Sequence, residues 1–247
     1  MPKAALQLYS IKEIAEQDFY HALHIAKQIG YDGVEFAGFF GKEAMETKKY
    51  LKDLDILPAG SHSGLNSVID KFSETMEYNA EIGNKYVVVP YIPENFHSAE
   101  GMKTVAQYLN IASESAKKYG ISIGYHNHAF EFTIIDEGKR LFDILAENTV
   151  SDIVLEIDTF WAVKGGVDPI EYCTKYRDRL NLVHFKDITK EGMDTEIGSG
   201  IVDFPSILRT SDKIEWCIME QEKFSMPMEQ SIAISYEYMK GILNDKS

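Results

Sequence analysis

Eight short runs of apolar, β-branched and aromatic residues recur along this chain. Each is followed by a longer stretch whose apolar residues fall three and four apart, the spacing of one helix face. The runs are AALQLYS (4–10), GVEFA (33–37), ILPAGSH (56–62), YVVVPY (86–91), ISIGYHNH (121–128), DIVLEID (152–158), NLVHFKD (181–187) and EWCIMEQ (215–221). Helix-like stretches between them include FYHALHIAKQIG, KKYLKDLD, TVAQYLNIASESAKKYG and FDILAEN, and Gly30 and Gly120 stand where left-handed C-caps belong. The strand starts are 29, 23, 30, 35, 31, 29 and 34 residues apart, each interval holding one βα unit. Eight such units in about 250 residues match an α/β fold of the (β/α)8, or TIM, barrel type. A doubly wound sheet is the rival, but it carries a glycine-rich phosphate loop after its first strand. Here that strand runs into LYSIKEIAEQ, which has no glycine. No linker or shift in composition divides residues 1–247, so one barrel domain is expected.

Composition narrows the function. The chain has 247 residues, 45% of them hydrophobic, enough for one large core. Against 25 Lys and Arg stand 39 Asp and Glu, a formal charge of -14 without a basic run to offset it, so a nucleic acid is a poor partner. The start, MPKAALQLYS, lacks the basic and long apolar regions of a secretory signal. No apolar run approaches the roughly 20 residues that span a bilayer, and no membrane partner is expected. Two cysteines, Cys173 and Cys217, fit neither a disulfide framework nor a CxxC metal site. They read as reduced thiols in a cytoplasmic protein. Oligomeric state is left open between a monomer and the homo-oligomer that acidic barrels of this size often form.

In a TIM barrel, chemistry gathers at the C-terminal strand ends, and side chains alternate between the interior and the helix layer. Polar residues collect at those ends here. Run 5 ends in His126 and His128, on one face, and the stretch GYHNHAFEF continues past it to Glu131. Run 6 places Glu156 and Asp158 on one face, run 7 His184 and Lys186, and run 8 Glu220 and Glu222. His62 closes run 3, and Gln7 lies in run 1. Asp187 and Glu222 have the wrong parity or lie past their strands, so capping and surface roles suit them. Four adjacent strands thus aim imidazole or carboxylate at one mouth. Such donors suit a divalent ion, Mn, Zn, Co or Mg, and oxygen-rich sets tilt toward Mn or Mg.

The motifs QLYS (7–10), GYDGVEFAG (30–38), SH (61–62), GYHNHAFEF (124–132), LEIDTFW (155–161), LVHFKD (182–187), GSGIVDF (198–204) and IMEQE (218–222) together carry a resemblance over nearly the whole chain. It is similar to the xylose isomerase-like TIM barrels, the sugar phosphate isomerase/epimerase group that includes tagatose epimerases, inosose dehydratases and apurinic endonucleases. In that family one divalent metal is typically held by Glu, Asp, His and Glu from strands 5 to 8. The resemblance carries the last three onto Asp158, His184 and Glu220. The first position departs from it: where relatives often read Glu-Asn-His, this chain reads His126-Asn127-His128. Either His126 is the fourth ligand, which the rigidity of a strand favours, or Glu131 reaches back to replace it. A second departure is Trp161, where tagatose epimerase-like relatives have a substrate-binding His. An indole there offers a sugar a stacking face and one N–H donor.

The resemblance implies one divalent ion, Mn favoured, a small sugar substrate, and enediolate chemistry on a ketose or keto-sugar: isomerisation or epimerisation first. A lyase, dehydratase or keto-glycoside-cleaving reaction at the same site is the alternative, and a non-catalytic sugar-binding barrel is third. The epimerases use two metal-bound glutamates as acid and base; this chain keeps Glu220 and lacks its strand-5 partner. His128, Glu131, Glu156 and Lys186 are the candidate substitutes, with an ion pair to Glu156 as the structural role for Lys186. His62, Trp161 and Gln7 are the candidate substrate-binding residues. The multi-zinc endonuclease branch fits poorly with a charge of -14.

Overall fold

The eight runs are strands, and they close on one another. A computed structural model describes residues 1–245. In it β1 (Lys3–Gln7), β2 (Gly33–Phe36), β3 (Leu57–His62), β4 (Tyr86–Val89), β5 (Ser122–His126), β6 (Val154–Asp158), β7 (Leu182–Phe185) and β8 (Trp216–Met219) form a closed parallel barrel, with β8 pairing back onto β1. This is the (β/α)8 architecture in one domain. Helices cover the outside, among them Phe19–Ile29, Ala44–Leu54, Ala99–Ala116 and Leu141–Asn148. Gly30 and Gly120 take left-handed conformations, φ 119 and φ 71, and stop their helices as expected. Cys173 and Cys217 are both buried. Among the described residues no helix is long and apolar enough to cross a membrane.

Two layers of apolar packing hold the barrel. Strand side chains facing outward meet the helices in one continuous core that includes Leu6, Val34, Val87, Tyr125, Leu155 and Phe185. Inside, Ala5, Ala59, Tyr86, Val88, Val154, Leu182, Trp216 and Ile218 fill the lower part of the barrel. Losing an aromatic of that plug would cost about 3–5 kcal/mol. Above the plug the interior turns polar, and this is where the site is built.

Six of the eight strands end earlier than the sequence runs do, and two of these endings show the local reasons. After Gln7 the chain enters a 3-10 turn, Leu8–Ile11, because the Gln7 side-chain oxygen accepts from the Tyr9 N–H at 3.0 Å. After His126, the Asn127 side chain takes over the next rung: its Oδ1 accepts from Asp158 N–H at 3.0 Å and its Nδ2 donates to the Asp158 carbonyl at 3.3 Å. The backbone is then free to leave the sheet. His128 therefore lies beyond β5, in irregular backbone rather than on the strand as expected, with its ring centre 5.2 Å from that of His126.

Candidate metal centre

Strand parity brings the polar side chains into the barrel in two tiers. In the upper tier β5, β6, β7 and the turn after β8 deliver His126, Asp158, His184 and Glu220, whose donor atoms all lie within 4.8 Å of one another. Each is buried, with Glu220 nearest to solvent at 6% exposure. His184 Nδ1 is 3.0 Å from Glu220 Oε2 and 3.8 Å from Asp158 Oδ2. Asp158 Oδ1 accepts from the Trp161 N–H at 2.8 Å, where it caps the helix Thr159–Lys164, while Oδ2 is buried without a hydrogen-bond partner. A buried carboxylate oxygen left unpaired is costly. Here it faces two imidazoles and a second carboxylate, the donor set of a divalent cation, so these residues fit such an ion.

The lower tier is Gln7, Glu35, His62 and Glu156. His62 Nε2 lies 2.8 Å from Glu156 Oε2 and 3.3 Å from Glu35 Oε2. His126 Nδ1 is 3.2 Å from Glu156 Oε2, and His184 Nε2 is 2.7 Å from Glu35 Oε2. Gln7 Nε2 donates to Glu35 Oε2 at 2.6 Å. His62, His126, Glu156 and His184 form a second group close enough to hold an ion. Glu156 Oε2 is shared between His62 and His126, although its Oε1 is buried without a hydrogen-bond partner, and Gln7 and Glu156 are fully buried. The upper tier is the better cation site.

Charge follows burial and neighbours. Burial pushes Asp158 up to about 7, with Glu220 adding to the rise against Lys186 and His184. Burial would raise Glu220 as well, but Lys186 and His184 hold it well below the usual carboxylate range. Burial lowers His126 far below its ordinary value, helped by charge on His184 and His62. His184 moves the other way: burial is outweighed by Glu156, Glu35 and Glu220. In the lower tier burial and the Glu35 charge raise Glu156. Glu35 itself stays low against burial, because His62 and His184 flank it.

Around the mouth stand the remaining candidates. Lys186 is fully buried, and its Nζ lies 3.5 Å from Glu220 Oε2 and makes a short ion pair with Glu222. It therefore pairs with these two and not with Glu156. It also sits 5.2 Å from the Trp161 ring centre, a cation–π distance. Trp161 faces His128 at 5.3 Å between ring centres, and Tyr91 meets His128 edge-on at 5.6 Å. Burial brings His128 down to about 4, so its ring is neutral near pH 7. Glu131 is not in the cluster. Tyr125 Oη donates to its Oε1 at 2.8 Å and the His128 N–H to its Oε2 at 2.8 Å, and burial lifts it to about 8. Asp187 does cap, accepting from the N–H groups of Gly198, Gly200 and Val202, but from a fully buried position and not the surface.

Sequence reasoning passed over Glu35, although a lone carboxylate between Val34 and Phe36 in an otherwise apolar strand was the available signal. It also passed over Tyr91 and over Asp194, which accepts from the Glu222 N–H at 2.9 Å beside the mouth. A cavity of about 630 Å3 lies at the opposite end of the barrel around Lys3, Tyr86 and Trp216 and contains none of the cluster residues. A smaller one of about 300 Å3 adjoins the mouth beside Phe160, Trp161, Met193 and Glu222.

Comparison with known proteins agrees with this architecture. The inosose dehydratase of Geobacillus kaustophilus is 26% identical over an alignment covering 86% of this chain and 81% of that protein. A sugar phosphate isomerase/epimerase from Parabacteroides distasonis superposes with a TM-score of 0.83 at 26% identity, covering 97% of this chain and 94% of its own. The IolI protein, solved with a bound zinc atom, superposes at 0.79 with 17% identity over 98% of each chain. A model of the family described as xylose isomerase-like TIM barrel matches residues 23–242. The chain belongs to the xylose isomerase-like TIM barrel family.

Proposed function

We propose that the protein is a divalent-metal-dependent enzyme that removes the proton next to the carbonyl of a keto-sugar or keto-cyclitol and then expels a β-oxygen substituent. The observation that carries the metal dependence is the upper tier, His126, Asp158, His184 and Glu220, with Asp158 Oδ2 buried and unpaired at its centre. A divalent ion held there would polarise a ketone and its neighbouring hydroxyl and favour loss of the proton between them. Two imidazoles and two carboxylates suit Zn and Co as well as Mn, so the sequence-based preference for Mn is widened.

The chain's own groups divide the remaining work. His128 is neutral near pH 7 and its Nδ1 has no hydrogen-bond partner, which suits it to accept the carbon-bound proton. Lys186 is held charged by Glu220, Asp158 and Glu222 in spite of burial, which suits its Nζ to hydrogen-bond the departing oxygen and offset its developing negative charge while water supplies the proton. The carbon–hydrogen electrons become the new double bond as the carbon–oxygen bond breaks, giving an enone and an alcohol or water. Trp161 and Tyr91 flank His128 and offer aromatic faces to a sugar ring.

Two features support reading elimination before epimerisation, reversing the order expected from sequence. The groups proposed here to take the proton and to stabilise the departing oxygen, His128 and Lys186, are unlike, where an epimerase of this family sets two glutamates across the substrate. The relative from Geobacillus kaustophilus, 26% identical, is named an inosose dehydratase. Epimerisation stays as the second reading because the protein from Parabacteroides distasonis, at the same identity, is named an isomerase/epimerase. The deciding experiment is metal analysis of the purified protein, followed by incubation with keto-sugars, keto-glycosides and keto-cyclitols in D2O with Mn, Zn, Co or chelator. Metal-dependent deuterium uptake with growth of enone absorbance supports elimination, and uptake with a new stereoisomer and no enone supports epimerisation. Neither metal nor exchange would leave a sugar-binding barrel.

A further inference from the structure

The proposed reaction makes no use of Glu35, yet this carboxylate is fully buried near the barrel axis and is held with unusual care. The pairing of β2 with β3 shifts register between Val34 and Glu35, so that Glu35 stands opposite Gly60. Gly60 is there for space: a Cβ at that position would lie 2.6 Å from Glu35 Oε1. On its other side Gln7 Nε2 donates to Glu35 Oε2 at 2.6 Å, and the Gln7 oxygen is tied to Tyr9 N–H. A register shift, a missing side chain and an oriented amide thus converge on one carboxylate.

That carboxylate faces His184. Glu35 Oε2 is 2.7 Å from His184 Nε2, while the other ring nitrogen, Nδ1, looks toward Glu220 and Asp158. The two nitrogens of an imidazole point in different directions, and the one that carries hydrogen is set by its partner. An ionised carboxylate accepts only, so its neighbour must be an N–H. We infer that Glu35 is a positioning residue: it keeps His184 Nε2 protonated, fixes the plane of the ring, and presents the Nδ1 lone pair to the upper tier as the metal-binding atom. Gln7 and Gly60 serve by holding Glu35 in place. The inference rests on the metal-dependent reading above and adds which atom of His184 binds and what orients it. Carboxylates that hold the far nitrogen of a ligating imidazole are worth about 10–100-fold in metal affinity.

The test has two arms. In the first, wild-type protein with 15N-labelled histidine is loaded with zinc, and His184 is examined by NMR for which nitrogen carries hydrogen. Protonated Nε2 with unprotonated Nδ1 is expected; hydrogen on Nδ1 overturns the inference while leaving the metal site standing. In the second, zinc affinity is measured by competition with a chelator for Glu35→Gln and for Gly60→Ala, which crowds Glu35 without removing its charge. Both should bind about 10–100-fold more weakly. Lower melting temperatures of the metal-free variants with unchanged affinity would show that Glu35 only packs, and would overturn the assignment. Failure of the wild type to bind zinc, cobalt or manganese would instead refute the metal-dependent reading itself, and this inference with it.

Discussion

Replacing Glu131 by Gln separates a buried charge from the metal site. Glu131 is fully buried, accepts from Tyr125 Oη and His128 N–H, and has its ionisation lifted from 4.5 to about 8 by burial. That rise is worth about 5 kcal/mol between the two protonation states. Below pH 4.5 the carboxyl is protonated in folded and unfolded chains alike, and no penalty applies. Between 4.5 and about 8 the unfolded chain gives up its proton while the folded chain keeps it, so stability falls by about 1.4 kcal/mol per pH unit. Above 8 the folded chain carries the full cost of a buried carboxylate. Glutamine keeps the shape, its oxygen can accept from His128 N–H, and it never ionises. The variant should therefore gain on the wild type as pH rises, by about 3 kcal/mol between pH 5.5 and 7.5. Urea unfolding of chelator-treated protein at those two values measures the gain directly, because every other titrating group is common to both proteins. A difference that stays constant within about 0.5 kcal/mol would refute the account of Glu131. Metal content of the variant should match wild type, since Glu131 lies outside the cluster.

Four further outcomes are expected. Asp158→Asn and His184→Ala should each abolish metal retention and leave the far-UV circular dichroism native; unchanged metal content in both would remove the site assignment. His126→Ala should weaken metal binding more than Glu131→Ala does, and the reverse order by chelator competition would move the fourth ligand to Glu131. Apparent metal affinity should rise with pH, up to about tenfold per pH unit for each proton displaced, because binding must remove the Asp158 proton and the His184 Nδ1 proton; a titration flat from pH 6 to 8 would contradict this. Trp161→Ala should raise KM for a sugar substrate more than it lowers kcat, and equal falls in kcat and kcat/KM would give the indole a role in the reaction step.

What could be read from sequence follows a physical divide. The barrel was legible because strand and helix periods are local signals, and eight of them at regular intervals leave few ways to close a sheet. Asp158, His184 and Glu220 were legible because strand parity and the known mouth of such a barrel fix where a polar strand-end residue points. His128 was misplaced because a side-chain amide, Asn127, substitutes for the backbone in one rung of the ladder, and no pattern of hydrophobicity records that exchange. The depth of a residue was also invisible. Gln7, His62 and Glu156 have the right parity for the interior, but parity does not distinguish the mouth from the tier beneath it, and the structure puts all three in the lower tier.

Glu35 shows the same divide from the other side. In GVEFA it reads as one polar residue in a buried strand, and its meaning comes from Gly60, 25 positions later, and His184, 149 positions later. The proposed cation donors of the upper tier come from adjacent strands and share one mouth, so a sequence pattern can collect them. The groups that orient those donors come from across the barrel, where β2 and β7 are not neighbours. Only closure of the sheet brings Glu35 Oε2 to 2.7 Å from His184 Nε2. A site of this kind is therefore specified twice: by local strand parity for the atoms that bind, and by barrel closure and register for the atoms that aim them.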